Sequence, residues 1–187
     1  MKSLIKLFFS SALVGLVLVL PALAKTPTPT LTPTSMPAPS EHKVEYLLPY
    51  PGILPDHPLY FLKTLRDRIL EALIVDPLRK SEFYLLQADK RLNMGIFFGA
   101  KGKALDAAES MTTAEQFMER TVAGLVTFRN SGSQVPASMV DRLEKSIGKH
   151  VEVLEDMVTN AGQSERQILE RVLETVRRLQ GEVGKLK

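Results

Sequence analysis

The sequence contains no cysteine, and only three of its 187 residues are histidine. Without cysteine the chain can form neither a disulfide framework nor a thiolate metal site. A zinc site usually takes three or four converging ligands, and His42, His57 and His150 follow no metal-binding spacing such as HExxH. We therefore expect no metal and no cofactor. Stability must come from an apolar core.

The excess of positive charge is also small. The formal net charge is +3, and it falls to about +1 if an N-terminal signal containing Lys2 and Lys6 is removed. A nucleic-acid-binding domain carries a concentrated basic face. We expect no nucleic-acid partner.

Catalytic motifs are lacking as well. The chain has no P-loop, no nucleophile elbow and no glycine-rich strand-to-helix turn. His150 interrupts the apolar face of a helix, so we expect it to be a partly buried structural residue. Six carboxylates fall mostly at helix positions that we expect to face solvent: Glu71, Asp89, Asp106, Glu109, Glu155 and Asp156. The sequence predicts that the protein is not an enzyme.

Residues 1–24 have the pattern of a secretory signal peptide. Two lysines precede the apolar run Leu7–Leu20, and a small-x-small site follows it and ends at Ala24. Cleavage after Ala24 would leave no membrane span and would direct the protein to the periplasm, the cell envelope or the medium. A retained anchor is the alternative, although the run is short for a span of about 20 residues.

Residues 25–40, KTPTPTLTPTSMPAPS, are dominated by threonine and proline. A segment of this composition buries too little apolar surface to fold, so we predict an extended, disordered linker. It is either a plain tether or an O-glycosylated spacer.

The rest of the chain, residues 41–187, shows helical periodicity with short connections. Asp76 followed by Pro77 is a strong helix start. We predict an all-α domain, an antiparallel bundle of about five helices of which one is short and four are long. The helices are expected near 58–74, 77–101, 103–129, 136–160 and 165–186.

Apolar stripes mark the faces of these helices. The first stripe comprises Leu59, Leu62, Leu65, Ile69 and Leu73, and this helix either packs on the bundle or lies on a membrane surface. The last comprises Leu169, Val172, Val176, Leu179, Val183 and Leu186. Its spacing suits coiled-coil-like packing, which we interpret as a bundle face rather than a dimer zipper. Five methionines are expected to fill core gaps: Met94, Met111, Met118, Met139 and Met157.

The stretch YPGILPDHPLYFLK, residues 50–63, combines turn signals with several aromatic residues. Two hypotheses fit it. The segment folds back over the open end of the bundle as a structural plug, or it forms a rigid apolar surface for a partner. The residues that define it are Tyr50, Pro51, Gly52, Leu54, Pro55, Asp56, Pro58, Leu59, Tyr60 and Lys63.

This PGxLPDxPLYxxK pattern resembles the opening motif of an exported bacterial helical domain of unknown function. Three further segments are similar to that family: LLQADKRL at 85–92, KGKALDAA from Lys101 and KHVEVLEDM from Lys149. The resemblance covers most of residues 50–180. It implies an extracytoplasmic helical domain and brings no activity, cofactor or catalytic residue.

We therefore expect an exported, non-enzymatic interaction or envelope-associated module. Its partner would be an unknown protein or envelope component, and the sequence leaves its oligomeric state open. The alternatives are a periplasmic small-ligand or metal-binding sensor or chaperone-like protein, and a hydrolase whose site is assembled in space.

Overall fold

The computed structural model describes residues 43–186. The predicted signal peptide (1–24), the predicted linker (25–40) and His42 lie outside the described residues. Between residues 43 and 186 all regular structure is helical. The prediction of an all-α fold is confirmed.

Five α-helices and a terminal 3₁₀ turn make up the described part of the chain. They are α1 (Tyr60–Leu73), α2 (Pro77–Ala100), α3 (Ala104–Asn130), α4 (Ala137–Asn160), α5 (Gln163–Val183) and the 3₁₀ turn Gly184–Leu186. Asp76 caps α2 as predicted, because its carboxylate accepts a 2.7 Å hydrogen bond from the backbone N–H of Arg79. The first helix begins at Tyr60 rather than near residue 58, since residues 54–60 form hydrogen-bonded turns.

The five helices pack as an antiparallel bundle, as predicted, and the four long helices supply its core. The α2–α3 and α4–α5 pairs are joined by short connections, and α3 also packs against α5. All four helices contribute large, fully buried side chains to one core, among them Leu92, Met118, Ile147 and Leu179. The apolar stripe predicted for the last helix is buried inside this bundle along its whole length.

Methionine and glycine adjust the packing between helices. Met94, Met111, Met118 and Met139 are buried and Met157 packs against the core, so the prediction that they fill core gaps is confirmed. Gly95 lets α2 approach α3 closely. A Cβ atom at this position would lie 2.7 Å from Cγ of Met111 and 3.2 Å from the carbonyl oxygen of Ala107.

Residues 43–59, which we call the N-terminal arm, have no regular secondary structure and lie along α2 and α4. The backbone N–H of Val44 donates a 2.7 Å hydrogen bond to Glu152 on α4. Asn93 on α2 donates a 2.9 Å bond to the carbonyl oxygen of Pro49. Leu48 packs against the core between these two contacts. The arm therefore follows the side of the bundle before it turns into α1.

Within residues 43–186, no helix has the combined length and hydrophobicity that crossing a membrane requires.

Candidate functional site

The outward surface of α1 is apolar. Its large side chains are between 49% and 70% exposed, although the same spacing in α5 produces a buried stripe. We call this surface the α1 face, and it comprises Phe61, Leu62, Leu65, Ile69 and Leu73. A monomeric protein rarely exposes so many large apolar side chains side by side unless the surface has a binding role.

Polar contacts explain why α1 is turned this way. The hydroxyl of Tyr84 on α2 donates a 2.7 Å hydrogen bond to Glu71. Arg120 on α3 lies 3.6 Å from the same carboxylate. Burial of Tyr84 and its bond to Glu71 raise the pKa of that phenol to about 12. Nearer the start of α1, Arg91 donates to the hydroxyl of Tyr60 and lies over its ring. The hydrophilic side of α1 thus faces the bundle.

Lys63 connects α1 to the proline–glycine turn of the arm. Its ammonium group is buried and donates a 2.9 Å hydrogen bond to the carbonyl oxygen of Pro51. Gly52 follows with a φ of 74°, a conformation that residues with a side chain rarely adopt. Burial lowers the pKa of Lys63 to about 8, and the positive charge of Arg91 acts in the same direction. The turn and the helix therefore hold each other in place.

The remaining motif residues are spread over surface and interior. Tyr50 is 76% exposed, while Pro51 is buried and Leu54 and Tyr60 are half-buried. Pro55, Asp56, Pro58 and Leu59 are exposed, and the Asp56 carboxylate lies 2.8 Å from the ammonium nitrogen of Lys103. The hydrogen bond that Lys103 donates to Asp56 lowers the pKa of the Asp56 carboxyl group. Whether the motif acts as a plug or as a binding surface stays a prediction.

The charges bordering the α1 face are arranged asymmetrically. Arg66 and Arg68 are exposed on or beside it, and Arg66 donates hydrogen bonds of 3.1 and 2.7 Å to Asp67. The two carboxylates of α1, Asp67 and Glu71, are turned toward the bundle and are less exposed. The outward side of the helix is consequently apolar and cationic.

A second feature, the buried polar cluster, lies inside the bundle and comprises Tyr46, Asp89, Glu115, Ser146 and His150. The hydroxyls of Tyr46 and Ser146 each donate a 2.6 Å hydrogen bond to Asp89. The His150 ring lies between two carboxylates. Its Nδ1 is 2.6 Å from Oε1 of Glu115, and its Nε2 is 3.3 Å from Oδ1 of Asp89. The cluster joins α2, α3, α4 and the N-terminal arm.

The electrostatics of the cluster favour a charged histidine. Burial opposes the positive charge of His150, but the carboxylates of Glu115 and Asp89 outweigh this effect and raise its pKa to about 9. Burial and the adjacent Asp89 raise the pKa of Tyr46 well above its usual range. Both ring nitrogens of His150 therefore donate hydrogen bonds at neutral pH, and Tyr46 keeps its proton.

The cluster corrects two expectations from the sequence. Asp89 was expected to face solvent but is only 3% exposed, and His150 was expected to be partly buried but is fully buried. Glu115 was not singled out. The spacing of Asp89, Glu115 and His150 indicates their burial. Each lies three residues from one apolar residue of its helix stripe and four residues from another. The flanking pairs are Leu85 and Leu92, Met111 and Met118, and Ile147 and Leu154. A charged residue in register with a core stripe is buried with it.

The arrangement of the cluster limits its chemistry. Ser146 and His150 are fully buried, so they have no surface at which a substrate could meet them. Among residues 43–186 no group of three or more histidine, aspartate or glutamate side chains has the geometry to hold a metal ion. One oxygen of Glu115 has no hydrogen-bond partner. The cluster is placed to connect helices and to hold the arm.

Comparison with known proteins places this fold in a family. No curated protein and no solved structure matches the chain. A family model, described as a domain of unknown function (DUF5667), matches residues 52–178. The match begins at the proline–glycine turn, includes α1 to α4 and ends within α5. Because it covers more than half of the chain, the protein belongs to the DUF5667 family of domains of unknown function.

Proposed function

We propose that the protein is an exported bacterial interaction module of the cell envelope, not an enzyme, and that it engages its partner through the α1 face. The main observation behind this proposal is that one side of a helix exposes five large apolar side chains: Phe61, Leu62, Leu65, Ile69 and Leu73. The signal-peptide pattern at residues 1–24 and the threonine- and proline-rich segment 25–40 support export and a tethered position.

The energetics of the α1 face support a docking role. Burying a large apolar side chain completely is worth about 1.5–3 kcal/mol. Five side chains that are about half exposed therefore offer roughly 5 kcal/mol to whatever covers them. The bundle does not use this energy, because it contacts α1 through polar groups such as Tyr84 and Arg91.

The non-enzymatic part of the proposal is supported by the buried polar cluster. It contains the combination of side chains, Ser146, His150 and Asp89, that could suggest acid–base or nucleophilic chemistry. Such chemistry needs a reacting group within hydrogen-bond reach. The buried positions of these side chains give a substrate no approach.

Site-specific photocrosslinking in the native cell tests this proposal. A photoreactive amino acid replaces Leu65 on the α1 face in one variant and Leu47 in a matched control. Leu47 is also an exposed leucine, but it lies on the arm beside α2 and α4. We expect adducts at position 65 well above those at position 47. Equal labelling at the two positions would contradict a docking role for α1.

A further inference from the structure

We propose that the α1 face binds the surface of a lipid bilayer that contains anionic lipids. This inference rests on the proposed function, since it names the partner of the same face. The helix would lie in the plane of the interface, with its apolar side chains among the upper acyl chains. Amphipathic helices that combine an apolar face with flanking cations bind membranes in this way.

The charge pattern of α1 favours a negatively charged partner. Arg66 and Arg68 are exposed at the apolar face. Asp67 is largely covered and pairs with Arg66 at 2.7 Å, and Glu71 is bonded to Tyr84, so Arg68 is the arginine of α1 that forms no ion pair among the described residues. A bilayer with anionic headgroups attracts such cations, and their long side chains reach the headgroups while leucines enter the apolar layer. A neutral apolar groove on a partner protein would leave Arg68 without an opposite charge, since Asp67 pairs only with Arg66.

A cationic groove continues from the α1 face and suits a phosphate headgroup. It has a volume of about 490 Å³ and lies between the start of α1 and the proline–glycine turn. Its lining combines the apolar side chains of Tyr50, Ile53 and Leu62 with the cations Lys63, Arg66 and Lys90. Lys63 donates to the carbonyl oxygen of Pro51 and Arg66 pairs with Asp67, so Lys90 is the cation that a phosphate would pair with. Acyl chains are apolar and headgroup phosphates are anionic, so one lipid molecule would match both parts of this lining.

A second copy of the chain fits the face less well. A two-fold dimer brings the same patch of both subunits together. Arg66 and Arg68 of both copies would then share one interface. Asp67 offsets Arg66 within each copy and Glu71 is paired with Arg120, so the two Arg68 guanidinium groups would meet no opposite charge there. Like charges at close range oppose association, especially when they are desolvated. The bilayer brings the opposite charge instead.

A fluorescent probe at one site can test this inference in the full chain. The sequence has no cysteine, so the variant Ile69→Cys can be labelled at that one position with an environment-sensitive dye. Gln180→Cys, exposed on α5, is the matched control. Both proteins are titrated with phosphatidylcholine vesicles that either lack or contain phosphatidylglycerol. Comparing two sites in one chain separates burial of α1 from any binding by the apolar run near the N-terminus.

With phosphatidylglycerol vesicles we expect the emission of the dye at position 69 to shift to the blue and to be quenched by spin-labelled acyl chains. We expect neither effect for the dye at position 180. The binding should weaken as salt is added, since the headgroup attraction is screened. Arg66→Gln with Arg68→Gln should reduce partitioning on the order of 10-fold. The control pair Arg166→Gln with Arg171→Gln, on α5, should leave it unchanged.

Three results would overturn the inference. A shift at position 69 that depends on protein concentration without vesicles would assign the face to a second copy, and the docking role of α1 would stand. No response to either vesicle, together with protein adducts at position 65 in the crosslinking experiment, would assign it to a protein partner. No vesicle response and no excess crosslinking at position 65 would reject both the inference and the proposed function.

Discussion

Helices α1 and α5 carry similar apolar stripes and use them in opposite ways. In α5 the stripe is buried against α3 and α4, and in α1 it faces solvent. The difference lies in the neighbours of each helix. The other long helices meet α5 with apolar side chains, whereas α2 and α3 present Tyr84, Arg91 and Arg120 to α1. The periodicity of a helix predicts which residues share a face, but the partner surface decides where that face points.

Replacing one leucine by alanine in each helix should show the difference between the two stripes most clearly, as a difference in the free energy of unfolding. Leu179→Ala removes a buried side chain from α5, and we expect the free energy of unfolding to fall by about 2–5 kcal/mol. Leu65→Ala removes a half-exposed side chain from the α1 face and should change it by less than about 0.5 kcal/mol. Urea denaturation measures both. Equal losses would mean that the α1 stripe is also buried against the protein.

The charges of the buried polar cluster lie inside the bundle, whereas those beside the α1 face are exposed. The pKa of His150 is about 9 in the folded protein, above its ordinary value of 6.5. Its contribution to stability is therefore fully present below pH 6.5 and is lost as the pH rises through 9. A shift of this size corresponds to about 3 kcal/mol. Urea denaturation between pH 6 and pH 8, below the range in which the contribution of Lys63 rises, should show part of this loss in the wild type.

His150→Gln removes the titrating group, so the stability gap between this variant and the wild type should shrink as the pH rises. His57→Gln, at an exposed position, is the control and should follow the wild type. In the wild type and in both variants, Lys63 changes the stability with pH in the opposite direction to His150. Its lowered pKa of about 8 makes its contribution rise between pH 8 and its ordinary value of 10.5. A gap that stays constant with pH would show that folding does not raise the pKa of His150.

A smaller loss than that of Leu179→Ala should come from removing one of the polar contacts that orient α1. Tyr84→Phe removes the hydroxyl that donates to Glu71, and we expect a loss of about 1 kcal/mol. Amide hydrogen exchange should accelerate in α1 and remain unchanged in α5, because α1 is held to the bundle chiefly by such contacts. Tyr50→Phe, at an exposed hydroxyl, is the control. Uniform acceleration in both helices would mean that α1 unfolds only with the whole bundle.

The candidate site was only partly predictable. The sequence indicated the helix stripes, the Asp76 cap and the proline-rich entry into α1. It also contained the registers of Asp89, Glu115 and His150, yet spacing alone does not say that three helices bring them together. A lone carboxylate on an apolar stripe is costly to bury, and partners from other helices are what make its burial possible. Those partners are far apart in the chain, with Glu115 and His150 separated by 35 residues.

The sequence by itself determined the all-α class, the positions of the four long helices and the buried stripe of α5, because helical periodicity and capping are local properties. The tertiary structure decided the direction of the α1 face and the assembly of the buried polar cluster. Both depend on which side chains of distant helices come into contact. Burial is a property of the packed bundle, so the same leucine spacing forms a core in α5 and an exposed apolar surface in α1.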